Sequence, residues 1–411
     1  MSSAPPDDPF VRRRVRRPPG EELAARRRRA VLFGVVGLLL FVVLLRAVAC
    51  GGDDEPAAER PQESPAQRLV KTLSSTQLTG QTVIAPFRNA APGQIPPAIR
   101  SAIRAGRIGG VILFSENAST LDDVRALTRR LQRITRPDAL NGVPLLVMID
   151  QEGGTVRRVT DAPPQASAAI QGRGGIGVVD KAGADSGTAL CSAGVNVNLA
   201  PVADVGSGFL NGQGRTFGPD VEIVARSARA FTTGSRRAGI GVAVKHFPGL
   251  GRAQANTDET RVRIPADAGA LRSQDALPFR TAVQAGADLV MLSSAIYPAL
   301  SPAPAVLSPP VVQGELRRRL GFRGVTISDD LEAGAFAGAS SPAQVARAAK
   351  LAGVDLLLYA TTADGALAAS RSLNADLRDG RIPLADVRAA VTRSVDLRLR
   401  LARSCRATAA R

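Results

Sequence analysis

The sequence predicts an α/β protein, a single (β/α)8 TIM-type barrel preceded by an N-terminal membrane segment. Three observations carry that expectation. Eight short apolar runs alternate with amphipathic helical stretches, polar residues gather just behind the C-terminal ends of those runs, and one long apolar segment lies near the N-terminus. A run apolar on both faces belongs in a parallel sheet covered by helices, and strict alternation of such units argues for α/β. Eight units over roughly 330 residues fit a closed barrel better than an open doubly wound sheet.

Taken in order, arginines crowd the first thirty residues (Arg12 to Arg14, Arg16, Arg17, Arg26 to Arg29), and 1–29 reads as a basic cytoplasmic tail. Ala30 to Leu45 is continuously apolar, and with Arg46 snorkelling the span extends to Cys50, so 30–50 reads as a transmembrane anchor or signal segment. The positive-inside bias keeps the tail in the cytoplasm and places everything after residue 50 outside the membrane. Ala47-Val48-Ala49 ahead of Cys50 also resembles a cleavage site or a weak lipobox, so a secreted lipoprotein anchored at Cys50 is the alternative. The long basic region and Arg46 favour the uncleaved anchor. Residues 51–65 are polar, acidic and proline-rich, a linker.

The barrel is expected over 66–405. Its apolar runs are Gln81 to Phe87, Gly110 to Phe114, Pro144 to Asp150, Val195 to Val205, Gly241 to Pro248, Leu289 to Ile296, Gly324 to Asp329 and Val354 to Tyr359. Leu121 to Ile134 and Val345 to Leu351 show helical spacing, with Asp122 and Asp123 in a first turn and Gly353 after the last periodic residue. Gly172-Arg173-Gly174-Gly175-Ile176-Gly177 fits a dinucleotide fingerprint by letter but lacks the preceding strand, so a flexible loop is expected there.

Composition narrows the function. The formal net charge is +17, yet only four of the 53 basic residues are Lys (Lys71, Lys181, Lys245, Lys350) and aromatics are 3%, so nucleic acid is not an expected partner. One His and three Cys cannot build a Cys/His zinc site. Outside the membrane a disulfide is allowed, and Cys191 with Cys405 is the pair left once Cys50 is assigned to the anchor; whether they meet is not legible.

In a barrel, chemistry sits at the C-terminal strand ends. Four runs deliver charge there: Asp150-Gln151-Glu152, Asp204, Lys245-His246 and Ser328-Asp329-Asp330. A carboxylate such as Asp329 at the end of a buried strand costs free energy unless it is paired or used, or caps the next helix. Lys245 stands beside the only His in a chain that uses Arg for nearly every other cation. Phe247 to Gly251 opens a loop of small residues running to Asn256-Thr257-Asp258-Glu259-Thr260. Asp258 and Glu259 there either cap a helix or bring a carboxylic acid to a substrate.

These motifs resemble the N-terminal barrel of glycoside hydrolase family 3, in its single-domain β-N-acetylhexosaminidase branch, over about residues 66 to 400. The residues are Ile149 to Arg158, Asn198 to Val205, Arg215-Thr216-Phe217-Gly218, Lys245 to Gly249, and Ser328 to Leu331. The resemblance implies a retaining exo-β-glycosidase that releases terminal β-linked N-acetylglucosamine from cell-wall or related glycans, without metal or organic cofactor. It implies that Asp329 is the nucleophile of a covalent glycosyl-enzyme and that Asp150, Arg158, Arg215, Lys245 and His246 grip the sugar. Where the branch usually carries Asp-Ser-His, this sequence reads Asn256-Thr257-Asp258, so Asp258, with Glu259 as substitute, is the expected acid/base. Leu250 and Glu116 are lesser departures, at positions where the family often has His and Arg. The alternatives are a glycan-binding protein with impaired catalysis and a β-glucosidase of the same family.

Overall fold

The computed structural model describes residues 63–338 and 341–409. The expected tail, membrane segment and most of the linker therefore lie outside the described residues. Among the described residues no helix is long and apolar enough to cross a membrane. Ser64 caps a first helix, Pro65–Thr72, its side chain accepting from the Gln67 backbone N–H.

Eight parallel strands follow: β1 (Val83–Ala85), β2 (Gly110–Leu113), β3 (Leu146–Ile149), β4 (Val197–Asn198), β5 (Gly241–Phe247), β6 (Leu289–Leu292), β7 (Val325–Ser328) and β8 (Leu357–Leu358). Each lies inside one of the expected runs. Neighbours pair in chain order, and β8 returns to β1 through Val83↔Leu357 and Ile84↔Leu358. The last seam, β7 to β8, is joined by the Ile327↔Leu356 bridge and by Leu356 N donating to Thr326 O at 2.9 Å. The ring is thus closed around a core that includes Ile84, Ile112, Met148, Met291 and Ile327, while Val83, Ala85, Val111 and Val147 pack outward under the helices. The fourth strand is much shorter than its apolar run: Pro201 has no N–H to give, and pairing with β5 resumes only as the Val202↔Lys245 bridge, with Ala203 N donating to Lys245 O at 2.7 Å.

Helices α1 (Pro97–Arg104), α2 (Leu121–Gln132), α3 (Ile176–Ser192), α4 (Val221–Arg237), α5 (Leu277–Gln284), α6 (Pro342–Ala352) and α7 (Ala363–Arg378) surround the sheet, with a π-helix, Pro310–Arg319, between β6 and β7. As the sequence implies, α2 starts at a Thr120 cap with Asp122 and Asp123 in its first turn. The expected loop at 172–177 is a correction: a short helix ends at Arg173 and α3 opens at Ile176. Glycines and small residues make α3 a weak helix former, but they let it lie close against α4. A Cβ on Gly183 would sit 2.3 Å from Phe231 O, so tertiary packing overrides propensity there.

The last helix, α8 (Leu384–Ala409), stoppers the N-terminal end of the barrel. Leu397 and Leu401 join the interior core, and Arg398, fully buried, donates to Pro144 O at 2.5 Å and Gln81 Oε1 at 2.6 Å. A Cys191–Cys405 disulfide, Cα–Cα 5.2 Å, fastens α8 to α3 and answers the pairing question left open by the sequence.

Candidate active site

At the opposite end, the strand termini enclose a cavity of about 290 Å³ whose lining includes Asp150, Arg158, Arg215, Lys245, His246, Asp258 and Asp329. All seven candidate side chains thus converge, although they come from segments up to 179 positions apart (329 − 150).

The floor is an ion-pair network. Lys245, at the buried end of β5, places Nζ 2.6 Å from Asp150 Oδ1 and 2.7 Å from Glu152 Oε1. Arg215 grips Glu152 with two parallel bonds of 2.9 Å, from Nε and one terminal nitrogen. Burial alone would raise the Glu152 carboxyl, but Arg215 and Lys245 outweigh it and bring it down to about 2. Burial likewise acts to lower the Lys245 ammonium, and Asp150 and Glu152 hold it above its ordinary value. Lys245 and Arg215 therefore stay cationic and oriented, and Asp150 retains a second oxygen for a hydroxyl donor.

His246 is set by Asp204, which is wholly buried. Asp204 Oδ2 lies 2.7 Å from His246 Nδ1, and its oxygens also accept from the His246 and Leu250 backbone N–H groups. A carboxylate on Nδ1 puts the ring proton there and leaves Nε2 for the cavity. Arg158 lies with its guanidinium carbon 5.6 Å from the Phe114 ring centroid, and its buried Nε has no protein partner. Arg158 also lines the cavity, so its guanidinium is placed to meet a ligand there. Arg88 covers the same ring at 4.4 Å and pairs with Glu116, 3.1 Å from Nε to Oε1.

Asp329 follows β7 directly. Its backbone N–H donates to Leu292 O at 3.2 Å and its Oδ1 accepts from Asp330 N at 2.9 Å. Burial pushes its carboxyl up to about 6; His246 and Lys245 oppose the rise and the Asp258 charge adds to it. Asp258 is exposed on the loop after β5 and does not cap a helix. Its backbone N–H bonds Asn256 Oδ1 at 3.1 Å, and the loop is fastened by Gly334 N to Asp258 O (2.8 Å) and Ala335 N to Thr257 O (3.0 Å). Only glycine fits at 334, since a Cβ there would lie 2.3 Å from Glu259 O. Through this clasp the segment behind Asp329 sets the position of the loop that bears Asp258.

The strand-end reading noted Glu152 and Asp204 without giving them a role; Glu152 holds Lys245 and Arg215 from behind, and Asp204 orients His246. Arg88, which follows β1, was not noted, although the same rule applied to that run would have flagged it. Among the described residues no group of three or more His, Cys, Asp or Glu side chains is disposed to hold a metal.

A family model described as the glycosyl hydrolase family 3 N-terminal domain matches residues 75–397. A β-hexosaminidase of Stenotrophomonas maltophilia is 34% identical over 288 residues, 67% of this chain and 84% of the relative. An uncharacterized secreted glycosyl hydrolase of Arthroderma benhamiae is 38% identical over 276 residues, 65% of this chain and 78% of the relative. Among solved structures, a family 3 β-N-acetylglucosaminidase from Paenibacillus superposes with TM-score 0.75 at 32% identity, covering 80% of this chain but only 63% of that longer one. A β-N-acetylhexosaminidase from Beutenbergia cavernae gives 0.73 at 33% identity over 79% of this chain and 98% of its own.

Proposed function

The chain belongs to glycosyl hydrolase family 3 and is a glycoside hydrolase; on that premise we propose that it is a retaining exo-β-glycosidase releasing terminal β-linked N-acetylglucosamine. The observation that carries the proposal is the cavity itself: one half-buried carboxyl, Asp329, faces a loop carboxyl, Asp258, above a preset network of cations and carboxylates. Two carboxyls on one cavity suit a double displacement.

In that reaction Asp329 attacks the anomeric carbon while Asp258 gives its proton to the departing oxygen, leaving a glycosyl ester on Asp329. Asp258 then takes a proton from water, which attacks the same carbon and frees Asp329. Asp150, Arg158, Arg215, Lys245 and His246 hold the sugar hydroxyls, and the ion-pair partners of Asp150, Arg215, Lys245 and His246 keep those four from reorganising as charge develops. The relatives' printed activities support N-acetylglucosamine as the sugar. The Cys191–Cys405 bond and the secreted relative support an extracytoplasmic barrel. The domain order proposed with it is a basic tail at 1–29, an anchor at 30–50, a linker at 51–65 and the barrel at 66–405; lipidation at Cys50 is the alternative to the anchor.

The test is hydrolysis of aryl β-N-acetylglucosaminide and aryl β-glucoside by wild type and Asp329→Ala. Mass spectrometry after reaction with a fluorinated activated glycoside then looks for a sugar ester on the peptide containing Asp329. Aryl release by wild type alone, with the ester on Asp329, is expected; the substrate that reacts identifies the sugar. Absence of turnover with retained binding of N-acetylglucosamine would favour a glycan-binding role, a reading supported by the exposure of Asp258.

A further inference from the structure

The two carboxyls of the cavity are held in different ways. Asp329 is fixed by backbone bonds at the end of β7, from its own N–H to Leu292 O and from Asp330 N to its Oδ1. Asp258 depends on the clasp from Gly334 N to Asp258 O and from Ala335 N to Thr257 O, so its place is that of the turn 330–335. That turn is tied to the end of β8 by the Asp330 side chain. Asp330 is buried, its Oδ1 accepting from Glu332 N and from Ala360 N, both at 3.0 Å, and its Oδ2 from Thr361 Oγ1 at 2.7 Å. Leu331 N adds a bond to Leu358 O at 3.1 Å, and Ala333 N one to Asp330 O at 3.3 Å. Asp330 borders the cavity, yet its two carboxylate oxygens are taken by three donors from its own turn and from the residues after β8.

The geometry points to Asp330 as a positioning residue for the acid/base: it relays the fixed end of β8 through the turn 330–335 to the loop that bears Asp258. The relay presupposes Asp258 as the acid/base proposed above. Its selectivity follows from the bonds. Removing the Asp330 carboxylate leaves both backbone bonds at Asp329 in place but frees the turn that clasps Asp258, so the proton donor shifts more than the nucleophile. Proton transfer tolerates little displacement, whereas attack by Asp329 on a sugar with a good leaving group needs no donor at all.

The test compares dinitrophenyl and phenyl β-N-acetylglucosaminides, with and without sodium azide, for the full chain as wild type, D330A, D330N, T361V and D258N. Dinitrophenolate departs without a proton; phenolate needs one. In D330A, kcat/KM should fall about 100-fold on the phenyl glycoside and less than about threefold on the dinitrophenyl one. Azide should raise the D330A kcat on the dinitrophenyl glycoside and yield the β-glycosyl azide: azide attacks the anomeric carbon, the bond to Asp329 breaks, and no base is required. D330N should keep most of the activity, since its amide oxygen still accepts from Glu332 N and Ala360 N and its NH2 donates to Thr361 Oγ1. T361V removes one of the three bonds and should show the same leaving-group bias at about threefold, which decides the matter if D330A does not fold. Equal losses on both substrates, no glycosyl azide, or a D330N as impaired as D330A would overturn the relay. D258N should itself show the bias and the azide product. If it shows neither, the acid assignment fails and the relay with it; if D258N shows both and D330A neither, the relay alone fails.

Discussion

Replacing Asp329 by Asn should stabilise the fold while abolishing turnover. The carboxyl is held at about 6 against an ordinary 3.8, chiefly by burial. At about 1.4 kcal/mol per pH unit between the two values, ionising it in the folded protein costs about 3 kcal/mol. Between those pH values the folded protein keeps a proton that the unfolded chain has released, so this group's contribution falls as pH rises through the window and levels off above about pH 7. Asn has the same size and still accepts from Asp330 N, now 2.9 Å from Oδ1, but carries no charge. Urea denaturation across pH is the assay. Asp329→Asn should exceed wild type by up to about 3 kcal/mol near pH 8 and match it near pH 4. A variant no more stable at pH 8, or a difference that ignores pH, would refute the argument. Because attack requires the ionised carboxylate, kcat/KM of the wild type should rise through about pH 6.

Asp258→Asn should spare the first step with activated aryl glycosides, whose leaving groups need no proton, and slow natural glycosides by roughly 100-fold or more; equal losses on both would remove Asp258 from the acid role. Glu152→Gln has the opposite pH signature to Asp329→Asn. The depressed Glu152 contributes stability present above pH 4.5 and lost as pH falls toward 2, about 3 kcal/mol, so the variant's deficit in denaturant should shrink in acid. Cys191→Ser with Cys405→Ser should lower stability by about 5 kcal/mol on the chain-entropy expression for a bridge spanning 214 positions, read as a lower midpoint in guanidinium.

Much of the barrel was legible because each strand is a short apolar run buried on both faces, a pattern that survives without knowledge of partners. Convergence of Asp150, Lys245, His246 and Asp329 followed from their places at strand ends. Pairing was not legible. Nothing in the letters says that Glu152 receives both Arg215 and Lys245, or that Asp204 turns His246, because those contacts join residues 42 to 93 positions apart (246 − 204, 245 − 152). The start of α3 was missed for a related reason: its glycines look like loop residues until α4 is set against them. Length also misled at Val195 to Val205, where the regular strand stops at Asn198 and pairing resumes beyond Pro201 only as the Val202↔Lys245 bridge.

The Cys191–Cys405 bond also makes most of the barrel a covalent ring. Strands β4 to β8 lie within it, with Lys245, His246, Asp258 and Asp329 on their ends or loops, whereas Asp150 and Arg158 enter from outside. A protease that nicks any loop between those cysteines opens the ring without releasing a fragment. The pieces remain joined, the acid loop stays clasped to Gly334, and separation on a gel requires a reductant. A single cut in that region therefore leaves both pieces held in place until the bond is reduced.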